Sequence, residues 1–159
     1  MRSAAEREAR RRQHRGTAAL ARRQWPQAVE HLAEAVRLAP PTYGALVNLG
    51  LALYQQGQYT AAIGRFTEAT ALAPQKPQAW LNLAAAETAL GHLERAREAL
   101  ERVAREHPRH RDVHYNLASL HLRAGQPLLA LAELELELAE HSRHGPARAL
   151  QHQLQTPPP

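Results

Sequence analysis

Three asparagines, Asn48, Asn82 and Asn116, recur at intervals of 34 residues. A primary amide carries a donor and an acceptor, so a row of them can pair with the main chain of an extended peptide without reading its side chains. A second group is basic: Arg7, Arg10, Arg11, Arg12 and Arg15 offer cations to phosphates or to an anionic surface. No aromatic interleaves with them and no nucleic-acid-reading motif is present, so nucleic acid is disfavoured and a solvated end is the plainer reading. A third group is imidazole: His107 and His110 are echoed 34 residues later by His141 and His144. Histidine is a common metal ligand, but no Asp or Cys completes a set, and no metal or other cofactor is expected. Catalytic signatures are missing: there is no Gly-rich phosphate loop, nucleophile elbow or His-Glu-x-x-His. With serine only at 3, 119 and 142, the chemistry on offer is binding, and the chain reads as a non-enzyme.

The elements that place these residues are set by the same interval. Residues 9–42, 43–76, 77–110 and 111–144 are four copies of one 34-residue unit without insertion or deletion. Ala28, Ala62, Ala96 and Ala130 share one column; Gly16, Gly50, Ala84 and Ala118 share another; Leu32, Phe66, Leu100 and Leu134 a third. Pro40, Pro74 and Pro108 close the first three copies. A fixed period of this length means a solenoid, each unit burying its apolar face against its neighbours. Within a unit the apolar residues recur at helical spacing in two bursts, such as Leu46, Leu49, Leu53 and then Ala62, Phe66, Ala69. Gly57, Gly91 and Gly125 mark the break between bursts, where a left-handed residue ends a helix. Each unit is therefore a helical hairpin, and the expected architecture is all-α: a right-handed α-solenoid of four hairpins forming one domain over 1–155. A C-terminal capping helix is expected over about 146–155, carrying Leu150 and Leu154, followed by a frayed tail at 156–159. Ser3 and Glu6 have capping-box spacing, which starts the first helix near residue 4.

Composition agrees. The 159 residues are 44% apolar but only 4% aromatic, suiting helices packed through small side chains. There is no cysteine, hence no disulfide or thiolate metal site. No apolar run reaches the length of a membrane span, and the first residues lack the apolar core of a secretory signal, so cytoplasm is the expected location. Arginine outnumbers lysine nineteen to one, as in proteins of GC-rich bacterial genomes. Residues 1–24 hold eight arginines against two glutamates, whereas the rest holds twelve cations against thirteen acids. A basic front and an acidic cluster at Glu133, Glu135, Glu137 and Glu140 permit head-to-tail self-association.

The patterns Leu46-x2-Leu49-Gly50-x2-Leu53, Ala62-x3-Phe66 and Pro74, matched by Trp80-x2-Leu83-Ala84, Ala96-x3-Leu100 and Pro108, resemble the tetratricopeptide repeat family over about nine tenths of the chain. The resemblance implies a concave face, lined by the first helix of each hairpin, that holds a segment of a partner protein. It places the asparagine column there, beside Val47, Leu51, Tyr54, Leu81, Tyr115 and Leu122 with polar Gln78, Thr88 and Ser119. In the alternative reading the asparagines belong to the repeat consensus and bond within it. The family's clamp for acidic C-termini is absent, because Gln13, Thr17, Gln78 and Asn82 stand where its residues would be needed. Other departures from the family pattern are Arg12, Arg15, Glu87, His121 and Glu137, the last in a column of small apolar residues. A substrate-recruiting or assembly subunit of a larger enzyme or secretion complex is a second functional class, and anion binding through the Arg-rich helix a third. Leu129 and Leu136 are expected on the outer side of the last hairpin, either open to a partner or covered by the C-terminal helix.

Overall fold

The structure, a computed structural model, describes residues 3–156. The triple proline of the expected tail and the first two residues lie outside them. Among the described residues there are nine α-helices and no strand. Two compact units are distinguished, with the boundary between Leu90 and Gly91. The first holds α1 (Ala4–Ala21), α2 (Trp25–Leu38), α3 (Tyr43–Gln55), α4 (Tyr59–Leu72) and α5 (Pro77–Ala89). The second holds α6 (Leu93–Glu106), α7 (Val113–Arg123), α8 (Pro127–Glu140) and α9 (Gly145–Gln155).

The period is reproduced to the residue in the even-numbered helices. Helices α2, α4, α6 and α8 start at 25, 59, 93 and 127, and each is 14 residues long. Proline sits in the first turn of α2, α5, α8 and α9, where its missing N–H is no loss. Helix α1 is closed at its front by the anticipated capping box. Ser3 Oγ accepts from Glu6 N at 3.1 Å, and Glu6 Oε2 accepts from Ser3 N at 2.8 Å. The expected capping helix is α9, with Leu150 and Leu154 packed on a core of Ala118, Ala130, Leu134 and Ala147.

In the first unit the helices of a hairpin touch through glycine. A Cβ built on Gly50 would lie 2.7 Å from Phe66 Cδ1, and one on Gly16 would lie 2.5 Å from Leu32 Cγ. Both Phe66 and Leu32 are fully buried, so neither can swing away. Ala28 and Ala62, with no exposed surface, continue the same contact. Arg15 shares a column with the core residues Leu49 and Leu117 yet is solvent-exposed on α1. Arg12 lies over α2, 3.0 Å from Glu8 and 3.5 Å from His31 Nδ1.

One position keeps the backbone of the repeat without its glycine. Gly57, Gly91 and Gly125 take the left-handed conformation at φ 73°, 77° and 72°, and Arg23, one period earlier, takes it too at φ 57°. The side chain of Arg23 makes that conformation costly, so Arg23→Gly is expected to stabilise the first unit by about 0.5–1 kcal/mol, the strain relieved less the added freedom of the unfolded chain. Urea denaturation reads this as a raised midpoint at unchanged slope; a lowered midpoint would show that the conformation is not strained. In the opposite direction, Gly50→Ala should cost a net of roughly 1–2 kcal/mol, because overpacking against Phe66 exceeds the gain in helix propensity. A melting temperature unchanged by that substitution would mean that the hairpin tolerates a wider gap.

Candidate peptide-binding groove

In the first unit the odd-numbered helices lie side by side and are tied by their polar residues. Asn48 Nδ2 on α3 donates to Thr17 Oγ1 on α1 at 3.1 Å. Thr42 Oγ1 donates to Gln13 Oε1 at 3.3 Å, and the Tyr43 hydroxyl accepts from Ala79 N on α5 at 3.1 Å. Burial pushes the Tyr43 phenol above its ordinary pKa, partly opposed by that backbone bond, and Lys76 Nζ stands 4.4 Å from the centre of its ring.

The first two members of the asparagine column differ. Asn48 spends its amide N–H on Thr17 of the preceding 34-residue copy, so the bond links two repeats and does not close within one. Asn82 accepts from Gln78 Nε2 at 3.0 Å, but its own Nδ2 is shielded from solvent and has no hydrogen-bond partner. A shielded donor without a partner carries a desolvation cost of roughly 1–3 kcal/mol. Leu51, Tyr54, Leu81 and Thr88 are half-buried, and Gln78 is exposed. Val47 is only 7% exposed and packs with Leu46, Ala69 and Ala79, so it supports the surface from below. The Thr88 hydroxyl is turned back onto Ala84 O at 2.7 Å.

In the second unit Asn116 is half-buried on α7. Ser119 Oγ donates to Tyr115 O at 3.0 Å. Tyr115 rests on the His144 ring at 5.2 Å between centroids, and with Leu122 it packs against the core that α9 closes. Those two candidate groove residues are thus partly taken up in holding the last helix.

The main functional-looking cluster of this unit is one that the pattern of residues did not announce. Asp112, Glu137 and His144 bring their ligand atoms within 4.8 Å of one another. Glu137 is fully buried. Its Oε1 accepts from Asp112 N at 3.1 Å and its Oε2 from Tyr115 N at 3.3 Å. Helix α7 begins two residues later than the period dictates, after Asp112 at φ 71°, and has no capping side chain of its own. The carboxylate of α8 therefore caps α7 from outside, at the end where the helix dipole favours negative charge. His144 Nδ1 accepts from Ala147 N at 3.0 Å and so caps α9, which leaves the ring proton on Nε2, where it is donated to Asp112 Oδ1. His144 Nδ1 and both Glu137 oxygens are thus engaged in closing helix ends, and His144 Nε2 ties α9 to Asp112. Of the four histidines considered for metal, His144 alone joins the cluster; His110 Nδ1 is 2.8 Å from Arg111 O. His114 and His121 make polar contacts with Glu133 Oε2 at 2.8 Å and Gln126 Oε1 at 2.9 Å.

On the outer side of α8, Leu128, Leu129 and Leu136 are 80%, 50% and 51% exposed. Leu138, not these, meets the core under α9, so the C-terminal helix does not cover the outer leucines. No helix among the described residues is long and apolar enough to cross a membrane.

Comparison with known proteins agrees with this geometry. Two sequence profiles, both described as tetratricopeptide repeat, match residues 15–77 and 53–114. Among solved structures, a tetratricopeptide repeat protein from Parabacteroides merdae is 22% identical, with a TM-score of 0.83 over 94% of this chain and 59% of its own. YrrB, described as a TPR protein with an unusual peptide-binding site, is 19% identical, with a TM-score of 0.81 over 86% of this chain and 71% of its own. The first TPR of Spaghetti (RPAP3), bound to an HSP90 peptide, is 19% identical, with a TM-score of 0.71 over 76% and 95%. No curated protein matches the sequence. The chain belongs to the tetratricopeptide repeat family, and its fold class is that family's all-α solenoid of helical hairpins.

The capping role of Glu137 has a direct test. Glu137→Gln keeps the shape but turns an amide N–H toward a backbone N–H that needs an acceptor, at a cost of about 1–3 kcal/mol. Hydrogen exchange should show the Asp112 and Tyr115 amides losing protection ahead of those in the first unit. Equal protection in the variant and the parent would mean that α7 does not need this carboxylate.

Proposed function

We propose that this protein is a non-catalytic scaffold whose first-unit helices α1, α3 and α5 capture an extended segment of a partner protein. The observation that supports this best is the shielded, unpartnered Nδ2 of Asn82. Once the Asn82 side chain turns outward from its bond with Gln78, a carbonyl oxygen of a bound main chain would satisfy it without any side-chain selectivity. Asn48, one period earlier, already donates to Thr17, so a ligand would have to compete for it. Asn116, one period later, holds the same place on α7. The half-buried Leu51, Tyr54 and Leu81 supply apolar anchors of the kind that dominate binding energy. Two of the similar proteins are described by the peptides or peptide sites they carry, which makes this the natural reading of the surface.

The test is affinity capture from the native organism with the parent chain and with a triple variant, Asn48→Ala, Asn82→Ala, Asn116→Ala, followed by mass spectrometry and titration of the recovered partner. Asn82→Ala alone should weaken that partner roughly tenfold, the value of about one hydrogen bond, and Asn48→Ala by less, because it merely frees Thr17. A partner held as tightly by the triple variant as by the parent would remove the amide column from the binding site.

A further inference from the structure

One cleft in the first unit has no binding role above, although the Thr42–Gln13 bond lies at its edge and leaves the Gln13 amide N–H free of that bond. It has a volume of about 540 Å³ and opens where the start of α1, the end of α2 and the link into α3 come together. Its floor is small and apolar: Ala9, Ala35 and Ala45 are 7%, 5% and 3% exposed. Pro40 and Pro41 form one side. The other side exists because α1 begins at Ala4, five residues ahead of the place that matches the start of α3 at Tyr43. Neither α3 nor α5 has such an extension.

The rim is where the chemistry lies. Arg10 and Gln13 stand on it, three residues apart on one face of α1, with Thr17 four residues further along that face. Arg10 has no ion-pair partner among the described residues. The acids of α1 are committed elsewhere. Glu6, which also lines the cleft, accepts from Ser3 N in the capping box, and Glu8 pairs with Arg11 at 3.2 Å and Arg12 at 3.0 Å. Arg10 also borders an open trough formed with Arg7, Arg11, His14 and Arg15, so the field over the rim is positive. A cation without a counterion above an alanine floor suits a short aliphatic stem that ends in a carboxylate. It suits a nucleic acid poorly, because no aromatic side chain lines the cleft for a base to stack on.

We propose that this cleft seats an acidic side chain of the bound segment, its stem on the alanine floor and its carboxylate on the Arg10 guanidinium and the Gln13 amide N–H. The assignment deepens the peptide-groove reading and rests on it: Thr17, on the same face of α1, bonds Asn48, so a segment lying along the asparagine column is led to Arg10. It concerns an internal Glu or Asp rather than a chain terminus, and so does not need the clamp residues that this sequence lacks.

The test uses the full chain with its alanine methyls labelled and a defined probe, an acetylated and amidated octapeptide alternating Ala and Glu. Titration should shift the methyls of Ala9, Ala35 and Ala45 saturably. The Ala-Gln version of the peptide should bind at least tenfold more weakly, as should the Glu peptide toward Arg10→Gln. Arg10 is exposed, so that variant keeps its melting temperature, which is measured alongside. Silent floor methyls, or equal affinity of the Glu and Gln peptides, would overturn the proposal and leave the groove reading standing. An oligothymidine that moves the same methyls at lower concentration than the peptide would overturn it in favour of nucleic acid. An unaltered partner affinity in the asparagine variants, with the methyl response intact, would sink the groove and keep the cleft.

Discussion

Everything in the first unit depends on how closely two helices of a hairpin can approach. Gly16 and Gly50 remove the Cβ that would strike Leu32 and Phe66, and Ala28 and Ala62 keep the rest of the contact thin. With the helices held close, one large side chain per hairpin fills the space completely, which is why Leu32 and Phe66 have no exposed surface. The same tightness brings the odd-numbered helices near enough for single hydrogen bonds to cross between them, as Asn48 to Thr17 and Tyr43 to Ala79 do. The polar bonds between these helices thus lie over a layer of small residues.

The second unit solves a different problem. Its helix α7 starts late and brings no cap, so its free N–H groups need acceptors from elsewhere. A fully buried carboxylate from α8 supplies them, and an imidazole at the head of α9 ties the capped end to the following helix. Burying an ionisable side chain is expensive unless every oxygen is satisfied, and here the backbone satisfies both. The residue that looked most out of place in its column is thereby the one that ties α8 to the head of α7.

Much of the fold could be read from the chain alone, because a period fixes helix positions without any knowledge of contacts. The even-numbered helices begin on the period, the capping box at Ser3 forms both of its bonds, and the last helix lies within a residue of its expected start. What escaped was anything that depends on partners distant in sequence. Glu137 reaches backbone groups 22 and 25 residues away, which column statistics do not reveal. Arg23 hides a left-handed backbone behind an ordinary side chain, and only its alignment with three glycines could have exposed it. Val47 shares a helix with the asparagine column but sits a fraction of a turn round, enough to place it against Ala69 and Ala79. The orphan donor of Asn82 and the cleft beside Arg10 arise from shape, and neither has a signature in residue order.

Within each unit, helices touch mainly those that come just before or after them along the chain. Such neighbour-to-neighbour packing gives a low contact order and hence rapid, locally nucleated folding. It also means that no central core locks all helices at once, so a unit can fray from an end while the remainder stays assembled. A ligand that bridged successive odd-numbered helices would act as a splint, suppressing that fraying in proportion to its affinity. For a protein of this construction, occupancy by a partner and resistance to proteolysis become one and the same quantity.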